Sequence, residues 1–260
     1  MAQDQFIDPT ALNRFFTDAG ARLATEEAFK EVEPEELTRF FTQARHQLEL
    51  AEQLDRKEAS GFNVFDLIRP NENRISDVLA LLLNPRGVHG QGDLFLRLLM
   101  EKLDTGLNLK DTKHAKVRRE ASTHKIENNR RRIDVLVEAG DFVAIENKVN
   151  ADEEPGQIKD YLEHLRLWTE GRSVRSTLIY LTPSGRLPDS LHQENVDREI
   201  ADNRLRCWSY GRHLCAWLEV CRSRCEAPRF RDFLADFIHY IQHEIEQDPA
   251  TEPEQENHEH

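Results

Sequence analysis

The 260-residue chain carries 35 Lys/Arg against 48 Asp/Glu, a formal net charge of −13, with 38% hydrophobic and 32% charged residues. That size and apolar share support one large core and a helical extension. No apolar run of about 18 residues offers a membrane span, and "MAQDQFIDPTALNRFF" lacks the basic start and apolar middle of a secretory leader, so a cytoplasmic protein is expected. The acidic total does not exclude a polyanionic partner. Residues 1–60 hold 13 acids against 7 Lys/Arg, and residues 244–260 hold 7 acids and no Lys or Arg, whereas residues 110–132 hold 9 Lys/Arg against 3 acids. Salt screens charges beyond about 10 Å at 0.1 M, so this local basic stretch matters more to a phosphate than the total does.

The chain opens with helical spacing. "PTALNRFFTDAGARLATEE" and "EPEELTRFFTQARHQLELAEQLDRKEA" each place apolar residues on one face, and Pro34 can open the second helix. These predict a helical extension over residues 1–60. "NRISDVLALLLNP" carries Ile75, Val78, Leu79, Leu82 and Leu83 on one stripe, stopped by Asn84-Pro85, and "DLFLRLLMEKLDTG" predicts another short helix. Near residue 115 the pattern changes. "AKVRREAST", "RRIDVLVEA" and "DFVAIENKV" read as three strands, the last two joined by the short Ala139-Gly140-Asp141 turn of a hairpin. "DEEPGQIKDYLEHLRLW" reads as a helix with Ile158, Tyr161, Leu162 and Leu165 on one face. "STLIYLTP" is a buried strand of continuous hydrophobicity, and "LRCWSY" is left open as a further strand. "GRHLCAWLEVCRSRC" and "RFRDFLADFIHYIQHEIEQ" close the chain as helices. A helix between the third strand and "STLIYLTP" implies a crossover, hence a mixed sheet flanked by helices, an α/β sandwich over 61–247. Residues 248–260 are expected to form an acidic, disordered tail.

Three charged residues interrupt the strand segments: Asp134, Glu146 and Lys148. Side chains alternate along a strand, so Glu146 and Lys148 share a face and Asn147 takes the other. A buried carboxylate or ammonium is costly unless partnered. If the hairpin sets Asp134 alongside Glu146, the two acids repel and each resists ionising. A divalent cation resolves that conflict, because Mg2+ takes oxygen ligands, commonly one or two carboxylates completed by water and phosphate oxygens. Lys148 beside such an ion can stabilise charge developing on a phosphoryl group. The same residues also fit a partly exposed strand with a plain Glu–Lys surface pair.

The spacing Asp134-x11-Glu146-x-Lys148, on a hairpin preceded by a strand and followed by a helix and a strand, resembles the PD-(D/E)XK nuclease superfamily. "NENRISDVLALLLNPRGVHGQGDLFLRLL" and "RRIDVLVEAGDFVAIENKVNADEEPGQIKDYLEHL" are similar to an uncharacterised bacterial and phage-associated subfamily, over about residues 70–185. Ile133 stands where the superfamily carries proline. The resemblance implies a restriction-endonuclease-like fold and a nuclease dependent on Mg2+ or Mn2+, acting on DNA rather than RNA. It makes Asp134 and Glu146 metal ligands, Lys148 the catalytic lysine, and the backbone carbonyl of Asn147 a further ligand. Glu72 is the candidate acid from the first core helix, with Asp77 and Glu120 as rivals. Gln157 and Tyr161 match a Q-x-x-x-Y element that touches substrate or braces the lysine. Arg130, Arg131 and Arg132, in the basic stretch, are expected to track the phosphate backbone.

His89, in "GVHGQGD", either contacts phosphate or structures its turn. Cys207, Cys215, Cys221 and Cys225 lack a C-x2-C spacing and read as reduced thiols, with a zinc or iron–sulfur cluster including His213 as the alternative. A competing function keeps the fold and drops the chemistry: a catalytically inactive binding or regulatory module whose acidic flanks dock a protein partner. A homodimer is also left open.

Overall fold

The structure, a computed structural model, describes residues 34–59, 61–107, 109–123, 131–149 and 152–245. Two compact units divide the chain between Phe62 and Asn63. In the first, α1 (Pro34–Glu58) is a 25-residue helix, as its apolar spacing predicts. The helix expected over 9–27 and the tail expected over 248–260 lie outside the described residues.

The second unit runs α2 (Val64–Ile68), α3 (Glu72–Leu83), α4 (Leu94–Leu103), β1 (Lys116–Ser122), β2 (Arg132–Ala139), β3 (Asp141–Asn147), α5 (Gln157–Thr169), β4 (Ser176–Thr182), α6 (Gln193–Ala201), β5 (Leu205–Ser209), α7 (Ala216–Arg224) and α8 (Pro228–Tyr240). Among the described residues the five strands form one sheet in chain order, antiparallel from β1 to β3 and parallel from β3 to β5. β3 and β4 are buried at every position, as continuous apolar strands covered on both faces must be. On one face Val135, Val137, Val143, Ile145, Ile179 and Leu181 pack with α3, α4, α7 and α8. On the other, Leu136, Phe142, Ala144, Leu178 and Tyr180 pack with Ile158, Tyr161 and Leu165 of α5 and Val196 of α6. Each Val, Leu, Ile or Phe among them taken from water contributes about 1.5–3 kcal/mol. The result is the expected restriction-endonuclease-like sandwich of a mixed sheet between helices.

Two details depart from the sequence reading. "QENVDREIA" forms α6, which buries only Val196 and half-buries Ile200 four residues on, a stripe too thin to register as a helical period. α6 supplies a second crossover, which lets β5 lie parallel to β4. The helices after β5 are also interrupted: π-helical segments Tyr210–Cys215 and Ile241–Ile245 precede α7 and follow α8.

Two turns set up the site. Gly140, at a φ of 88°, closes the tight β2–β3 turn in a conformation that favours glycine. Asn71 caps α3, accepting the Arg74 N–H at 3.0 Å, which places Glu72 in the first turn of that helix.

Candidate active site

The sheet opens at Asp134. The β2–β3 ladder ends with Val135 paired to Ile145, and the same register carried one step further sets Asp134 opposite Glu146. There a side chain takes over from the backbone: Asn147 N–H donates to Asp134 Oδ2 at 2.8 Å, while Lys148 N–H donates across to the Leu181 carbonyl of β4 at 2.8 Å. The alternation of β2 breaks at the same level. Val135 and Val137 face α3 and α4, yet Ile133 packs with Leu136 on the α5 side. On β1, Glu120 adopts a left-handed φ of 47° between the paired Arg119 and Ala121. Arg119 bridges the break, donating to the Asp134 carbonyl, to Asp77 Oδ1 at 2.9 Å and to the Asn73 carbonyl at 3.1 Å.

Glu146 and Lys148 share the α5 face, as alternation requires, and are only 2% and 8% exposed. This overturns the surface-pair alternative. Lys148 Nζ lies 3.2 Å from Glu146 Oε1. Gln157 Nε2 donates to the same oxygen at 2.7 Å and to the Tyr161 hydroxyl at 3.1 Å, and Tyr161 donates to the Arg132 carbonyl at 2.8 Å. Glu146 Oε2, by contrast, is buried with no hydrogen-bond partner. Burial, then the neighbouring Asp134 charge, pushes the Glu146 carboxyl up to about 8 despite Lys148. Burial likewise raises Asp134, opposed by the hydrogen bond from Asn147 N–H.

A third acid belongs to this group. Glu72 accepts Val149 N–H at Oε2 at 3.1 Å, and its charge raises both Asp134 and Glu146. Its rivals are engaged elsewhere: Asp77 pairs with Arg119 and with Arg74 at 3.2 Å, and Glu120 pairs with Arg132 at 2.8 Å on an exposed edge.

A family model of the PD-(D/E)XK nuclease superfamily matches residues 62–239, more than half of the chain. The chain belongs to that superfamily. No curated protein and no solved structure matches it. The acids and lysine described above stand where the PD-(D/E)XK signature was read in the sequence.

Could these acids hold a cation? The orphaned Glu146 Oε2 and two neighbouring carboxyls are the chemistry a hard divalent ion requires. Among the described residues no three His, Cys, Asp or Glu side chains already form a cage. A Mg2+ ion is commonly held by one or two carboxylates and completed by water and phosphate oxygens, so it needs no such cage. The same finding leaves the cysteine-cluster alternative without a gathered ligand set. Cys215, Cys221 and Cys225 are buried and form no disulfide, and His213 Nδ1 accepts Ser209 N–H at 3.0 Å while its ring stacks on Trp208.

The remaining expected residues divide by what they touch. Arg130 lies outside the described residues. Arg131 turns inward, donating to Asp160 Oδ2 at 2.7 Å, Glu154 Oε2 at 2.6 Å and the Pro155 carbonyl at 2.6 Å, which commits it to bracing α5 rather than to phosphate. Arg132 stays exposed beside Glu120. His89 structures its turn: Nε2 meets the Asn84 carbonyl at 2.9 Å, Nδ1 accepts Gln91 N–H at 3.0 Å, and the ring packs on Phe95 and Phe230. Three residues at the site were given no role by the sequence reading: Arg119, Ser76 and Tyr210. Arg119 sat unremarked within the basic stretch, and the other two become visible only through the partners described below.

Among the described residues no helix is long and apolar enough to cross a membrane.

Proposed function

We propose that the chain is a nuclease that hydrolyses phosphodiester bonds with Mg2+ or Mn2+, on DNA in preference to RNA. The observation that carries this reading is the meeting of buried Asp134 and Glu146 where the sheet opens, with Lys148 against Glu146 and one carboxylate oxygen left unpartnered. Asp134 and Glu146 would hold the ion, with the Asn147 backbone carbonyl and Glu72 as further donors. When bound, the ion supplies Lewis-acid stabilisation of charge on the phosphoryl group.

The chain's own residues do the rest. Gln157 occupies Glu146 Oε1 and leaves the buried Oε2, which has no hydrogen-bond partner, as the donor for an ion. Tyr161 fixes Gln157 through its hydroxyl, so the carboxylate rotamer is set before substrate arrives. Lys148 presents a compact positive charge to the anionic transition state, in surroundings dry enough to strengthen it. Arg132, exposed at the start of β2, offers a contact to the phosphate backbone.

The nuclease domain would span residues 61–247, between an N-terminal extension, 1–60, that contains α1 and an acidic tail, 248–260. Four cysteines outside any disulfide suit a reducing compartment such as the cytoplasm. One observation favours a second reading, an inactive nuclease-fold binding module: Glu146 Oε1 is already saturated by Lys148 and Gln157. A panel of single-stranded, double-stranded and branched DNA and RNA, each with Mg2+ and Mn2+, separates the two. The nuclease reading expects cleavage that falls at least ~100-fold in Glu146→Ala and Lys148→Ala. Equal behaviour of parent and both variants on every substrate would remove it.

A further inference from the structure

Asn147 faces both ways through the sheet. It is wholly buried, and it stands between Glu146 and Lys148, so its side chain points away from them toward α3. There Nδ2 donates to the Glu72 carbonyl at 3.0 Å and to Ser76 Oγ at 3.0 Å. A carbonyl only accepts, so the amide can stand in one orientation, with Oδ1 turned to the hydroxyl of Tyr210. Tyr210 is also fully buried and opens the π-helical segment between β5 and α7. Burial, then the charge of Glu72, holds its hydroxyl protonated, well above the ordinary tyrosine range, so it stays a donor. On the main chain, Asn147 N–H grips Asp134 Oδ2 at 2.8 Å. A single residue therefore holds Asp134 by its backbone, adjoins Glu146 in sequence, and fixes the backbone of Glu72 by its amide.

We propose that the Asn147 carboxamide, locked by Tyr210, is a positioning residue that sets the first turn of α3, and with it Glu72, against Asp134 and Glu146. This rests on the nuclease reading and adds to it a dependence of the cation site on the helical layer that follows β5. A plain packing role does not account for an amide here. An apolar side chain of similar size would fill the space, and the three polar partners are what a carboxamide alone satisfies.

The test uses the full-length chain and two single-oxygen changes at opposite ends of the amide, Tyr210→Phe and Ser76→Ala. Calorimetric titration with Mn2+ should give an affinity ~10- to 100-fold weaker than the parent's in Tyr210→Phe, the scale of loss when a partner orienting metal ligands is removed. Cleavage kinetics should show kcat reduced with the nucleic-acid KM unchanged, which a general loosening of the fold would not produce. Folded Tyr210→Phe and Ser76→Ala proteins that bind Mn2+ as the parent does would overturn the proposal. If Tyr210→Phe does not fold, Ser76→Ala decides by the same criterion. A parent that gives no Mn2+ heat abolished by Asp134→Ala would sink the nuclease reading itself, and this proposal with it.

Discussion

Glu146 is an acid held where acids are hard to ionise, and that gives the site a pH signature. Its folded carboxyl titrates at about 8, while its ordinary value is 4.5. Over that window the folded chain keeps a proton that the unfolded chain has released, so stability is full below about 4.5, falls as pH rises, and levels off above about 8. The thermal midpoint measured in chelator should therefore drop between pH 5 and 8. Glu146→Gln, neutral throughout, should lose that part of the drop, and Mn2+ should restore stability to the parent above pH 7 by replacing the proton with a cation. A parent and Glu146→Gln whose difference in midpoint does not change with pH would contradict the assignment of Glu146 as the strained carboxyl.

At the scale of elements, α5 is what presents Gln157 and Tyr161 to Glu146, and Arg131 is what holds the start of α5. Of its three contacts, the one to Asp160 is largely shielded from water, while those to Glu154 and the Pro155 carbonyl are exposed. Arg131→Ala should destabilise the fold by about 1–3 kcal/mol, because it removes a charged hydrogen bond to the partly buried Asp160 carboxylate, and should leave the nucleic-acid KM little changed. Arg132→Ala should do the reverse, raising KM with little change in thermal midpoint. A raised KM with an unaltered midpoint in Arg131→Ala would make Arg131 a phosphate contact after all. The sequence made the three-strand run, the hairpin and the crossover helix legible, since each repeats a period of 2 or 3.6 over enough residues. Whether that hairpin brings Asp134 beside Glu146 is open in the sequence, a condition that the register of the short turn meets. α6 was not legible, with a single buried residue, and neither was the change of face at Asp134, because a backbone phase break leaves no residue-type signature. Arg119, whose guanidinium bridges that break, was therefore read only as part of a basic stretch.

For the whole molecule, the acidic ends and near-neutral middle set the terms of nucleic-acid binding. The basic stretch 110–132 has to attract phosphate while segments 1–60 and 244–260 repel it. Removing residues 248–260 should raise DNA affinity a few-fold near 50 mM salt, and the gain should fade by about 0.5 M as screening shortens every charge's reach. Fluorescence anisotropy on labelled DNA reads this directly, and an affinity gain that persists at high salt would point to steric masking instead. Long-range ties were also beyond the sequence: Tyr210 and Asn147 are 63 residues apart and meet only because β4 and β5 stack beside β3. The proposed chemistry depends on one cation shared by acids from adjoining strands. Crystals soaked in Mn2+ and measured at the manganese absorption edge test this most directly. The expected result is an anomalous peak about 2 Å from a carboxylate oxygen of both Asp134 and Glu146. A peak bound elsewhere, or the two carboxyl groups on opposite sides of the sheet with no ion between them, would contradict it.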